Sequence, residues 1–291
     1  MTRFWFYLRL ARPDQWVKNS FVLAPLIFSR ELFDAEAFLT ALRAFIGFCL
    51  AAGAVYGIND LADLAEDRGH PVKRLRPLAS GDISRSEAVA VCAVFLAGAV
   101  IATLGLHWKF HLSLGVYVLM NLLYSVKLKE VVLLDVFLIA SGFMLRVLGG
   151  AYVLDVPVSS WIVLCTMFIS LFLGFAKRRG ELVGSRADGP ERKVLLLYSV
   201  GFIDQVLTIA AAGAVITYAL YAVAPSTQAV FRTDKAIYTT VFVIYGVFRY
   251  LHLIHAQRPT ENPTATLTAD TTIIITGILW IASCIALIYF N

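Results

Sequence analysis

Charge is what this chain has little of. Only 15% of its 291 residues are Asp, Glu, Lys or Arg, against roughly 25% in an ordinary soluble domain, while 59% are hydrophobic and the mean hydropathy is +0.75. That balance excludes a water-soluble globule, because one core stops growing at roughly 250–300 residues and much of a soluble surface must still meet water. Cysteine is scarce too. Cys49, Cys92, Cys165 and Cys284 each sit alone in a separate apolar run. Lacking a C-x-x-C pair or Cys/His ligand spacing, they exclude a disulfide framework and a zinc site and read as buried packing residues. A convincing catalytic histidine is missing as well: His70 is followed by Pro71, and His252 and His255 fall at the edge of an apolar run. The N-terminus, MTRFWFYLRLARPDQW, has no isolated apolar stretch ending in a small-residue cleavage site, so no removed signal peptide is expected.

Apolar runs are what the chain has in abundance. Nine approach the roughly 20 residues with which a helix crosses a ~30 Å hydrocarbon core: residues 17–33, 37–58, 86–106, 110–126, 131–154, 159–175, 194–224, 236–253 and 271–289. The first is short and contains Pro25. Strands of a barrel would alternate apolar and polar residues, so the expected fold is an all-α integral membrane bundle of nine transmembrane helices, one domain over residues 1–291. Basic residues are lopsided between the connections. Arg3, Arg9, Arg12 and Lys18 precede or open the first run; Arg68, Lys73, Arg74, Arg76 and Arg85 follow the second; Lys127 and Lys129 follow the fourth. Lys177, Arg178, Arg179, Arg186, Arg192 and Lys193 follow the sixth, and Arg249 and Arg258 the eighth. The alternate connections hold only Arg30, Lys109, Arg232 and Lys235. The positive-inside rule then puts the N-terminus in the cytoplasm of a cell-membrane protein and the C-terminus outside. Topology alone accounts for the net charge of +5, and no nucleic-acid partner is expected.

Topology does not account for the acids. Residues 57–81, GINDLADLAEDRGHPVKRLRPLASG, close the second run. At ~100° per helical residue, Asn59, Asp60, Asp63 and Asp67 fall within about 100° of one another, so four oxygen-bearing side chains are expected on one face. Carboxylates so placed repel, which at a membrane boundary is costly unless a cation neutralises them. Mg²⁺ takes hard oxygen ligands and commonly joins a few carboxylates to substrate phosphates. Lys73, Arg74 and Arg76 follow directly, and Arg forks match phosphate oxygens. Acids for a metal beside cations for phosphate describe a site for a highly charged phosphate ester.

On this N-D-x-x-D-x-x-x-D motif, together with the helix count, the chain resembles the UbiA superfamily of intramembrane prenyltransferases. The resemblance implies a UbiA-like bundle with cytoplasmic loops capping a central cavity, and Mg²⁺ held by Asn59, Asp60, Asp63 and Asp67, with the three aspartates as catalytic groups. YSVKLK, residues 124–129, looks like the superfamily's Tyr-plus-Lys motif after the fourth helix. The second aspartate-rich motif of aromatic prenyl transferases is replaced by KRRGELVGSRADGPERK, residues 177–193, whose Glu181, Asp188 and Glu191 lack the D-x-x-x-D spacing. With RPDQWVKN (12–19) and LKEVVLLDVFLIASGFMLR (128–146), this pattern resembles the decaprenyl-phosphate phosphoribosyltransferase branch.

That branch implies transfer of 5-phosphoribose from 5-phosphoribosyl diphosphate (PRPP) to a polyprenyl monophosphate with release of pyrophosphate, giving a precursor of cell-envelope pentoses. Lys18, Lys73, Arg74, Arg76, Tyr124, Lys129, Arg146, Lys177 and Arg178 are then candidates for the phosphates of the two substrates. Asp135 and Arg146 lie within or at the edge of the fifth run, where an ionisable group requires a cavity or a partner; ~16 Å of helical rise keeps them from pairing with each other. Gly142, Gly149 and Gly150 are expected to permit close helix packing. The main rival is another UbiA-type enzyme that moves a prenyl group from its diphosphate to an aromatic or other acceptor. A transporter is disfavoured because the acids gather at one edge and no broken-helix repeat is visible. Oligomeric state stays open, a homo-oligomer included.

Overall fold

The structure, a computed structural model, describes residues 3–184, 193–256, 267 and 269–290. Among the described residues every regular element is helical. The α-helices are α1 (Arg3–Ala11), α2 (Ala24–Phe28), α3 (Ala35–Ala62), α4 (Leu64–Gly69), α5 (Pro77–Ser80), α6 (Arg85–Ala102), α7 (Trp108–Val126), α8 (Leu134–Val153), α9 (Ser160–Gly184), α10 (Val200–Val223), α11 (Pro225–Phe231), α12 (Thr240–Ala256) and α13 (Thr271–Tyr289). Seven segments among the described residues are long and apolar enough to cross a membrane: α3, α6, α8, α9, α10, Lys235–Ala256 and α13.

The first expected span, 17–33, is not a continuous α-helix. Pro13–Leu23 is a 3-10 helix, and the five-residue α2 follows it. Pro25 explains the change of winding. It has no N–H to give to the Phe21 carbonyl, as α-helical geometry requires, and that carbonyl instead accepts from Ala24 N–H in the i,i+3 pattern of a 3-10 turn. At the seventh expected span, Lys193–Leu197 winds as 3-10. Helix α10 starts afresh at Val200, where the Ser199 hydroxyl accepts from Phe202 N–H at 3.1 Å.

The chain divides into two compact units. The first comprises Met1–Leu26, Glu31–Lys129 and Leu145–Val156. Its core is Phe48, Phe110, Leu114 and Tyr117 with small alanines of α3, Phe48 meeting the Phe110 and Tyr117 rings edge-on. A second cluster, Leu10, Leu64, Leu78, Ile83 and Ala88, draws α1, α4, α5 and the start of α6 together. The end of α8 lies so close to the 3-10 segment that a Cβ on Gly150 would stand 2.0 Å from the Val22 carbonyl oxygen, and one on Gly149 would stand 2.9 Å from the Phe48 ring. Gly149 and Gly150 thus allow the close approach expected of them.

The second unit comprises Ile27–Arg30, Glu130–Met144 and Pro157–Asn291. Val136, Phe172, Phe175, Ile203, Leu207 and Tyr250 belong to its core. Phe28, Tyr221, Phe231 and Trp280 form a separate aromatic cluster.

Candidate active site

The predicted one-face array of four oxygen ligands is divided, because the helix breaks in the middle of the motif. Helix α3 ends at Ala62; Asp63 takes φ −91° and ψ 9° and caps it, and the short α4 starts at Leu64. Asp60 and Asp67 end up together. Asn59 and Asp63 turn to a different neighbour.

Arg76 joins the first pair. Its Nη1 donates to Asp67 Oδ2 at 2.6 Å and to Asp60 Oδ1 at 3.1 Å. Arg12 Nη2 donates to the same Asp60 Oδ1, its guanidinium lying 5.2 Å from the centre of the Tyr56 ring. The two carboxylates are 3% and 5% exposed, and both arginine side chains are 27% exposed.

Local sequence puts Arg76 there. In HPVKRLRP both His70 and Arg76 precede a proline, and steric clash drives a pre-proline residue to extended backbone. Their φ/ψ values are −88°/135° and −66°/144°. Between them the chain turns on His70, whose Nδ1 accepts from Val72 N–H and Lys73 N–H, both at 3.0 Å. His70 is thus a hinge for the backbone. Lys73 and Arg74 lie on the short 3-10 turn Lys73–Leu75, with Arg74 exposed and Lys73 half-buried.

Arg12 reaches the site through an unusual backbone. It takes φ 50° and ψ 65°, a left-handed conformation uncommon for a non-glycine residue and of the kind that clusters at functional sites. The bend between α1 and the 3-10 segment is fastened by Trp16 Nε1, which donates to the Ala11 carbonyl at 3.1 Å. Lys18, farther along, donates to Gln15 Oε1 at 2.7 Å.

The second pair faces the end of α7. Asn59 Oδ1 accepts from the Ser125 hydroxyl, and Lys129 Nζ donates to Asp63 Oδ1 at 3.0 Å. Tyr124, next to Ser125, is half-buried. Arg146 lies in a third place within this unit. Buried, it donates from Nε to Asn19 Oδ1 at 2.7 Å and from Nη2 to the Tyr117 hydroxyl at 3.0 Å, over the Tyr117 ring at 4.5 Å.

In the second unit, the Lys177-Arg178-Arg179 run is engaged in internal pairs. Arg178 is fully buried, with Nε donating to Asp135 Oδ2 at 2.6 Å and Nη1 to Glu181 Oε2 at 2.5 Å. Lys177 Nζ is 3.8 Å from Glu181 Oε1, and Arg179 Nε donates to Asp204 Oδ1 at 2.6 Å. Tyr198 completes the knot, donating to Asp135 Oδ1 at 2.9 Å while accepting from Leu133 N–H at 2.6 Å. Burial pushes its phenol up to about 12, so it stays a neutral donor at physiological pH. Asp135 therefore has its partner in Arg178, and Arg146 in Asn19 and Tyr117. Of the second-motif region, Arg186, Asp188, Glu191 and Arg192 lie outside the described residues, as does Arg258.

Among the described residues no three His, Cys, Asp or Glu side chains gather as a ready metal cluster. Asp60 and Asp67 nevertheless fit a hard divalent ion, because oxygens from two helices already converge on one cationic nitrogen. Mg²⁺ needs no more, being commonly held by one or two carboxylates plus substrate phosphates. Arg12, Ser125 and Asn19 contact candidate residues without being candidates for metal or phosphate themselves; Arg12 and Asn19 are the two ends of the RPDQWVKN segment. Its charge alone marks Arg12 as topological, while the Arg-Pro pair followed by Trp16 is the signal that sets it apart.

The chain belongs to the UbiA prenyltransferase family, whose pattern it matches over residues 22–270. Within that family it is 31% identical to the decaprenyl-phosphate phosphoribosyltransferase of Mycolicibacterium smegmatis, the match covering 98% of this chain and 92% of that protein. It is 36% identical to the protein of the same name from Mycobacterium tuberculosis, over 74% of this chain and 73% of that one. A UbiA homolog from Archaeoglobus fulgidus bound to geranyl diphosphate (GPP) and Mg²⁺ shares the fold, with a TM-score of 0.74 at 21% identity over 97% of this chain and 99% of that chain.

Proposed function

We propose that the protein transfers 5-phosphoribose from PRPP to a polyprenyl monophosphate of the decaprenyl type and releases pyrophosphate. The observation that carries this reading is the nearly full-length match to the mycobacterial phosphoribosyltransferase. The acid and cation chemistry of the first unit agrees with it. Asp60 and Asp67 would hold Mg²⁺ on the diphosphate, which when bound neutralises the charge that grows on the leaving group. Arg76 and Arg12, already on these carboxylates, would take phosphate oxygens together with Lys73, and Asn59, Asp63, Tyr124 and Lys129 would complete the site. Arg74 and Lys18 are further candidates for the phosphates of either substrate.

The acceptor is a phosphate monoester, with a second pKa around 6 by analogy with phosphorylated side chains. It is largely ionised at neutral pH and needs no strong general base, which suits a site whose nearest histidine is occupied in a turn. In-line attack at C1 would invert the α-diphosphate to a β-phosphodiester.

We place the active site and N-terminus on the cytoplasmic side of the cell membrane, with nine crossings. Eleven residues of 3-10 helix rise ~22 Å, so Pro13–Leu23 with α2 is long enough for the first crossing despite its winding. Lys177 and Arg178 take a structural place in this reading and leave the phosphates to the first unit.

The deciding experiment incubates detergent-purified protein with Mg²⁺, polyprenyl monophosphate and radiolabelled PRPP, with EDTA as control. Metal-dependent label in the lipid phase with a β-configured product is the expected result. Consumption of a prenyl diphosphate, with no label from PRPP, would establish the aromatic-type prenyltransferase instead.

A further inference from the structure

Arg76 occupies the point to which the two most buried carboxylates of the site converge, and one nitrogen atom makes both contacts. Asp60 and Asp67 cannot turn to water: their side chains are 3% and 5% exposed. Arg76 can, at 27% exposure. Its main chain is fixed by the following Pro77 and by Arg76 N–H donating to the Lys73 carbonyl at 3.0 Å, so the mobile part is the side chain. With Arg12 on Asp60, the group contains two carboxylates and two guanidiniums and is neutral.

We propose that Arg76 is a place-holding cation that makes metal binding and diphosphate binding obligatorily joint. A divalent ion and Arg76 compete for the same two oxygens. An ion arriving alone would have to displace a guanidinium already paired there and would leave the group with two excess positive charges in a poorly solvated setting, where unpaired charge is costly. A diphosphate reverses the balance. Its oxygens receive the displaced Arg76 in a charge-assisted fork while bridging to the ion, so the carboxylates exchange one cation for another and the guanidinium exchanges one anion for another. Asp63, paired with Lys129 outside this group, does not take part in the exchange. The consequence is ordered chemistry: the protein has low affinity for the free ion, and a metal-activated site forms only around a diphosphate ester.

This inference rests on Asp60 and Asp67 as the metal ligands, and the test separates the two. The full chain in detergent micelles is titrated with Mn²⁺, bound ion being read by electron paramagnetic resonance, without and with inorganic pyrophosphate and against protein-free controls. In the wild type, pyrophosphate is expected to tighten Mn²⁺ binding at least tenfold. Arg76→Gln should bind Mn²⁺ alone at least tenfold more tightly than the wild type and lose most of the pyrophosphate effect. Mn²⁺ should also raise its melting temperature at concentrations that leave the wild type unmoved. Should Arg76→Gln fail to accumulate as folded protein, Arg76→Lys keeps one charge without the fork and is expected to show the same change, at least threefold. If both variants bind free Mn²⁺ like the wild type while Asp67→Asn abolishes joint binding, the place-holder is wrong and the ligand assignment stands. If Asp60→Asn and Asp67→Asn leave joint binding intact, both fall.

Discussion

Two arginine–aspartate knots, one in each unit, are built from the same residue types and differ in their access to water. In the second unit Arg178 and Asp135 are both 0% exposed, and Glu181 and Tyr198 complete their bonding. In the first unit the carboxylates are equally well hidden, but each arginine leaves about a quarter of its side chain in the open. A charge pair closed on all sides stabilises only itself, because removing either partner strands the other. A pair whose cation reaches solvent can trade that cation for a ligand. On the proposed function, accessibility of the positive member is what separates a structural knot from a chemical one; residue type and spacing do not.

Four single substitutions, one of them also combined with a fifth, test that contrast, from the largest expected effect to the smallest. Asp67→Asn should lower kcat by 10²–10³ or so, the scale of losing a main electrostatic contact to the reacting groups, with folding retained; lipid labelling at saturating PRPP measures it, and near-normal turnover would remove Asp67 from the chemistry. Arg178→Met should do the reverse. Breaking a buried pair costs about 3–5 kcal/mol, so the melting temperature falls while the KM for PRPP of the folded fraction stays constant. Pairing it with Asp135→Leu should recover part of the loss, since an apolar replacement of both partners is often neutral while Glu181 and Tyr198 each still lose a partner. A stable Arg178→Met protein with weakened PRPP binding would return Arg178 to the phosphate contacts expected from sequence.

Gly150→Ala comes third. Its Cβ must displace the Val22 carbonyl, and overpacking of this kind costs about 1–3 kcal/mol; thermal unfolding should show it, together with reduced turnover because the displaced segment carries Arg12 and Lys18. Lys129→Met is the mildest. Its partly exposed pair with Asp63 contributes at most about 1 kcal/mol to stability, so the melting temperature should hold while the KM for PRPP rises about tenfold, the equivalent of ~1.4 kcal/mol.

The membrane class, most helix positions and the acid-plus-cation segment were legible from residues alone, because apolar length and charge asymmetry are local properties. The failures have physical causes. Counting 100° per residue through Asn59, Asp60, Asp63 and Asp67 assumes an unbroken helix, and the backbone breaks at Asp63. Periodicity cannot register that break, and no proline or glycine marks it. Pro25 did mark the irregular first segment, but its effect is exerted upstream, on the Phe21 carbonyl. Arg178 looks like its neighbours in a basic run, and its burial against an aspartate 43 residues earlier is not visible there. Partners at that separation are set by tertiary structure, which a linear pattern does not contain.

Arg76 comes only 16 residues after Asp60 and 9 after Asp67. A ribosome adding roughly 5–20 residues per second therefore delivers the counter-charge within seconds of the acids, just after α3 and before most of the bundle has been made. Asp135 has to wait for 43 residues and another whole helix before Arg178 exists. The knot proposed for the chemistry can thus be neutral as soon as Arg76 is made, whereas the knot of the second unit has to wait for Arg178.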